Sequence, residues 1–223
     1  MVPAANSDST LDSFRSAVAS GESVPAGVAI SAVSASLALG LLAKVVTIAS
    51  RRKDFAGDVS KAVKLADAAQ SQSKRMLQYA DEDVATFSAY MASARLPQAT
   101  TRERESRRRA LDSAIRKTIE TPMKAARAAT SGIELCAEAT EMIHTLIAAD
   151  LGTAAAFLST SLRIFLMCAD SNLKLLVSNP SEYRDLMAGR PEFERNAFRK
   201  AQAVLKQVTT AIEVAASKAH RKI

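Results

Sequence analysis

The chain has 223 residues, a formal net charge of +7, 48% hydrophobic residues and only 4% aromatics. Glycine (7) and proline (6) are scarce for this length, and the two cysteines, Cys136 and Cys168, have no CxxC partner. These figures exclude a disulfide framework, a zinc ribbon and a turn-rich β fold, and they predict an all-α protein in a reduced, cytoplasmic setting.

The first ten residues, MVPAANSDST, have neither a basic nor an apolar run, so no secretory signal is expected. Ser9 or Thr10 is placed to cap a short helix carrying Leu11, Phe14 and Val18 on one face, ended by Gly21 and Pro25. Residues 24–53 follow: a Pro25-Ala26-Gly27 turn, an apolar run crowded with Ala, Ser and Gly, and an exit at Arg51-Arg52-Lys53. Between 24 and 50 the only charge is Lys44, so the run passes a membrane-span window test. The interior lysine, the small residues and the lack of a second such run point instead to a core helix, with no membrane as partner.

From Phe55 to about Ser93, Val59, Val63, Met76, Tyr79, Phe87 and Met91 recur at helical spacing, until Leu96-Pro97 breaks the run. The Asp81-Glu82-Asp83 triplet reads as exposed helical carboxylates, with an acidic site as the alternative. Thr100 and Glu103 form a capping box for a helix carrying Leu111, Ile115 and Ile119. Thr121-Pro122 is expected to stop it and start another, running to about Ala148. Asp150 and Gly152 mark a kink or turn before an apolar helix over 154–176. Asn179-Pro180 breaks the chain, and Pro191 opens a final amphipathic helix over 191–223. With no strand alternation and no repeat, the economical fold is one domain, 1–223, built as an up-and-down bundle of long helices around a core at 11–176.

Most polar clusters have structural readings. Arg102, Arg104, Arg107, Arg108 and Arg109 are interleaved with Glu103 and Glu105 and lack stacking aromatics, which suits a solvated face and not nucleic acid. His144 has no metal-like companion at helical spacing, so no metal site is expected. No P-loop, dinucleotide fingerprint, HExxH or Ser-His-Asp arrangement is present. Two residues retain chemical interest. Lys53 follows two arginines directly after the small-residue run and is a candidate for proton transfer. Asp150 stands between two apolar helices, where a carboxylate caps a helix or carries out chemistry.

With these residues in hand, the chain resembles the cyclodeaminase/cyclohydrolase family of folate enzymes over residues 11–176. The family's Pro-Gly-Gly-Gly turn, Ala/Gly-rich helix and Gly-Lys-Lys-x-Tyr exit fall on Pro25-Ala26-Gly27-Val28 and Arg51-Arg52-Lys53-Asp54-Phe55. Its Asp-x-Asp-x-x-x-Phe-x-x-x-Met block, ending in Leu-Pro-Lys, falls on Asp81, Asp83, Phe87, Met91 and Leu96-Pro97-Gln98. Pro122-Met123, Asp150-Leu151-Gly152 and Asn172 align with its later motifs. The resemblance implies an all-α homodimer holding a tetrahydrofolate derivative near the glycine turn and the dimer interface. It implies hydrolysis of methenyltetrahydrofolate to 10-formyltetrahydrofolate, or ring closure of formiminotetrahydrofolate with loss of ammonia, and no metal. Lys53 is then the proton-transfer group, with Asp150 orienting it or stabilising the cation. Gly27, Val28, Ser31, Arg52, His144, Cys168 and Asn172 are the implied folate contacts. The chain departs from the pattern at Ala26, Val28, His144, Ala149 and Cys168, where the family has Gly, Asn or Ser. Those departures leave two alternatives open: transfer of the one-carbon unit to another substrate, or a helical dimer that has lost the folate site.

Overall fold

A computed structural model of the chain describes residues 6–142, 147–176 and 190–220, and every regular element among them is a helix. In chain order these are α1 (Leu11–Val18), α2 (Gly27–Ser50), α3 (Val59–Ala94), α4 (Thr101–Ala139), α5 (Ala148–Leu173) and α6 (Arg190–His220). The start signals act as expected: the Thr10 side chain accepts from the Ser13 amide, and Thr100 and Glu103 close a capping box. Asp58 caps α3 by accepting from the Ser60 and Lys61 amides, which moves the α3 start from Phe55 to Val59. The Asn179-Pro180 break and His144 lie outside the described residues.

Helix α2 lies against α3, α4 and α5. Its buried face is mainly alanine, with Leu39, Leu42, Val45 and Val46 fully covered. Small side chains bring helix axes close, so polar side chains also meet across the seams. The Ser36 and Ser73 hydroxyls lie 3.0 Å apart between α2 and α3. The Gln72 amide donates to the Ser131 hydroxyl at 2.9 Å between α3 and α4. The Asn172 amide links α5 to α4, and the Arg190 guanidinium links α6 to Asp170 on α5. Each tie joins consecutive helices running in opposite directions, which makes α2 to α6 an up-and-down bundle.

Helix α5 is a second segment long and apolar enough to cross a membrane, so the expectation of a single such run is corrected. About half of the most apolar window is buried inside the bundle in each case, 56% for α2 and 50% for α5.

Three boundary expectations also change. Thr121-Pro122 does not divide a helix, because α4 runs continuously from Thr101 to Ala139 with Pro122 buried inside it. It ends there and not near Ala148. Proline removes the amide that would bond the carbonyl four residues earlier, that of Thr118. Here the Asn172 side-chain amide donates to the Thr118 carbonyl at 2.8 Å, replacing the lost donor. Asp150 and Gly152 mark no turn: both lie in the opening turns of α5, where Gly152 is buried against Val208 of α6. An acidic residue in a first helical turn suits the helix dipole. Two arginines of the run bond backbone: Arg104 donates to the Gln98 and Ala99 carbonyls and Arg107 to that of Ala94. These two arginines fasten the α3–α4 turn.

Replacing Asn172 by Ala should cost about 1–3 kcal/mol by leaving the Thr118 carbonyl unpaired. In a Pro122→Ala background, where residue 122 regains its amide, the same change should cost much less. Equilibrium urea unfolding of the four proteins measures this coupling, and equal costs in both backgrounds would refute it.

Candidate functional site

The residues singled out in the sequence divide between the two ends of α2, which its 24 residues separate by about 36 Å. At the entrance lies a cavity of about 170 Å³, walled by Val24, Gly27, Val28, Asp83, Phe87, Cys168 and Asn172. Its lining comes from the segment before α2, from α2 and α3, and from the last turns of α5. At the exit lies a second cavity of about 280 Å³, lined by Ala49, Arg52, Asp54, Phe55, Glu141 and Met142, among others.

At the entrance, α2 begins at Gly27 without a side-chain cap. A Cβ on Gly27 would sit 3.3 Å from the Cys168 sulfur and 3.8 Å from Ile164. The bare backbone at this turn is therefore used by α5. Val28 is buried, and the Ser31 hydroxyl on the same helix is buried without a hydrogen-bond partner. Asn172 lines the cavity while its amide nitrogen is committed to Thr118. Cys168 is half-buried and unpaired, and burial together with the nearby Asp83 carboxylate pushes its thiol pKa up. Cys136 is fully buried and pushed to about 12 by burial, which leaves it a core residue.

Asp83 was expected to be exposed, and this is corrected: it is only 7% exposed. The signal was present in the sequence, since Asp83 continues the buried stripe of Met76, Tyr79 and Ala80 at helical spacing. The backbone of Ala29 in the first turn of α2 favours its ionised form. Burial nevertheless pushes the pKa up, from 3.8 to about 6. The neighbouring carboxylates are engaged elsewhere: Asp81 accepts from the amide and hydroxyl of Ser7, and Glu82 pairs with Arg75.

At the exit, Arg52 makes two parallel 2.8 Å hydrogen bonds to Asp54, a bidentate ion pair on the cavity wall. Lys53 is exposed to solvent beside this cavity and is not among its lining residues. Asp150 is half-buried in the first turn of α5, at the same end of the bundle as Lys53. Within one chain the fold thus groups Gly27, Val28, Cys168 and Asn172 at one end and Arg52, Lys53 and Asp150 at the other.

A family model described as formiminotransferase-cyclodeaminase matches residues 10–190. Among solved structures, the fold is similar to that of formiminotetrahydrofolate cyclodeaminase from Thermotoga maritima. That match has a TM-score of 0.76 at 18% identity and covers 94% of this chain and 98% of the other. No curated protein matches the chain.

Asp83 predicts a pH dependence of stability. Its folded pKa lies above its unfolded value, so the folded state holds the proton more tightly between about pH 4 and 6. Stability should fall as pH rises through that window and level off above it, by at most on the order of 3 kcal/mol from this group. Asp83→Asn should flatten the window and stabilise the protein at neutral pH. Denaturant midpoints from pH 4 to 8 test this, and a variant with the same slope as the parent would refute it.

Proposed function

The chain belongs to the formiminotransferase-cyclodeaminase family, and from that premise we propose that it is an enzyme acting on a one-carbon adduct of tetrahydrofolate. Hydrolysis of the methenyl bridge to 10-formyltetrahydrofolate is favoured over cyclodeamination. The observation that carries this reading is the family match, which runs over both ends of α2 and over α5. The entrance cavity supports it as the place for the reacting carbon, because it combines a buried carboxylate with an apolar wall.

Lys53 is the group that moves a proton at the departing nitrogen, with Asp150 orienting it. In one chain these residues stand at the far end of α2, so the reading requires a second copy. The outer faces of α2 and α5 support that pairing. Ile30, Leu37 and Ile48 recur along α2 at 39%, 69% and 41% exposure, with Phe157 and Met167 exposed on α5. Two α2 helices packed antiparallel through this face would bring Lys53 of the partner subunit to the Gly27 entrance. Arg52 and the cations beside it suit the glutamate tail of the folate. The setting is cytoplasmic, in keeping with two free cysteines.

The Cys168 sulfur, which lies 3.3 Å from where a Cβ on Gly27 would sit, favours a second reading, transfer of the one-carbon unit to another acceptor. It narrows the approach to the backbone that the resemblance implies for a folate ring.

Purified protein should accelerate the absorbance decay of methenyltetrahydrofolate over buffer, and Lys53→Ala should lower kcat/KM by about 10²-fold or more. Folate binding without hydrolysis would favour the transfer reading. Absence of folate binding in calorimetry would reject both and leave a helical dimer without a folate site.

The dimer makes a separate prediction. Light scattering should give twice the chain mass. Mixed, refolded Lys53→Ala and Asp83→Asn proteins should recover roughly a quarter of wild-type activity, because one composite site per mixed dimer is intact. A monomer, or no recovery on mixing, would refute the shared site.

A further inference from the structure

Resting on the folate reading above, we propose that Asp83 is the catalytic base that takes the proton of the attacking water, with the bridge carbon seated in the entrance cavity. Three observations place it there. Asp83 is buried and lines the cavity beside Gly27, Phe87 and Cys168. The backbone of Ala29, in the first turn of α2, favours its ionised form. Among the described residues, no cation lines this cavity.

A purely structural role does not account for a carboxylate here. Asparagine would lose the attraction of a negative charge to the start of α2, but it would avoid the larger cost of burying that charge. What the carboxylate adds is negative charge and proton affinity, and the methenyl bridge is a cationic amidinium attacked by water. Both properties therefore match this substrate. The pKa of about 6 puts ionised and protonated forms within reach near neutral pH, as a base that must give its proton back requires.

The step balances as follows. The water oxygen bonds to the amidinium carbon, one water proton passes to Asp83, and the C–N π electrons move to nitrogen, leaving a neutral hydroxyl adduct. The bond from that carbon to the departing nitrogen then breaks. The nitrogen keeps the electron pair and takes a proton from Lys53, and the hydroxyl proton leaves to solvent as the formyl C=O forms. Solvent restores both side chains, and one proton is released per turnover.

The titratable groups described around Asp83 have other engagements. Cys168 on α5 is the titratable neighbour across the cavity, with its thiol held protonated by burial and by Asp83. On α3 itself, Asp81 is held by Ser7 and Glu82 by Arg75. The first turns of α2 contribute Gly27, Val28 and Ala29, none of them ionisable. An acid limb near pH 6 is thus assigned to Asp83.

The test uses the full chain and compares wild type with Asp83→Asn in initial rates of methenyltetrahydrofolate hydrolysis from about pH 5 to 8. Wild-type kcat/KM should rise through about pH 6. The variant should lose about 10²- to 10⁴-fold in kcat and lose the acid limb. It should still bind folate within about tenfold of wild type, measured by calorimetry. A folding failure is checked by the thermal melt, which the variant should pass at or above the wild-type temperature. A variant with wild-type kcat and an unchanged acid limb overturns the assignment while leaving the folate reading intact. A wild-type protein that neither binds nor hydrolyses the folate overturns both.

Discussion

The bundle depends on the close packing of α2 against three other helices. An alanine-rich helix buries little apolar area per residue, so most of the stabilisation near it comes from larger neighbours such as Phe165, Leu158, Leu162 and Met76, all essentially inaccessible. Smooth alanine faces also leave helix register poorly determined, because they offer few knobs and few holes. Paired polar groups supply what the faces lack. Ser36 with Ser73, and the Gln72 amide nitrogen with Ser131, pair in one register and lose their partners when a helix slides by a turn. This register sets where both ends of α2 fall, and hence where Gly27 meets α5 and where Arg52 meets Asp54.

A second constraint joins the fold to the entrance cavity. Pro122 frees one carbonyl in the middle of the 39-residue α4, and Asn172 in the last turn of α5 supplies its donor. That same stretch of α5 presents Cys168 and Ser171 to the cavity. The cavity wall is thus fixed by a backbone repair across two helices. A repair of this kind explains why a polar residue at position 172 is used by the fold even before any ligand is considered. On the next face of α5, Asp170 holds the buried Arg190, which also bonds the Leu166 carbonyl at 3.2 Å and fastens the start of α6. The end of α5 is therefore tied to α4 on one side and α6 on another.

Helix periodicity and caps made most of the fold legible. The Thr10 and Thr100 caps, the break at Leu96-Pro97 and the bundle architecture all follow from local rules. Pro122 was not legible because its tolerance depends on Asn172, fifty residues away, and a local rule sees only the missing amide. The opening of α5 was misplaced because Asp150 and Gly152 look like turn residues, whereas one sits in a favourable first-turn position and the other is pressed against Val208. Asp83 was hidden by its neighbours: in a run of three carboxylates, only the helical phase of Met76 and Tyr79 tells which one turns inward. The family motifs drew attention to the two ends of α2, but linear sequence does not show that one straight helix holds those ends apart.

Charge is arranged along α2 in the sense its dipole favours. The amino end meets the Asp83 carboxylate, whose ionised form the Ala29 backbone favours, and the carboxyl end is followed by Arg51, Arg52 and Lys53. Dipole pairing alone explains the exit, where the cations are solvated and Arg52 has Asp54 as partner. It does not explain the entrance. A solvated carboxylate or a serine cap would serve the first turn at little cost, as Asp58 does for α3. Burying Asp83 instead raises its proton affinity and weakens the fold at neutral pH, so the dipole gains less than burial costs. A charge retained at net cost, facing a cavity that no cation among the described residues lines, is the pattern expected where charge is used on a ligand and not on the fold.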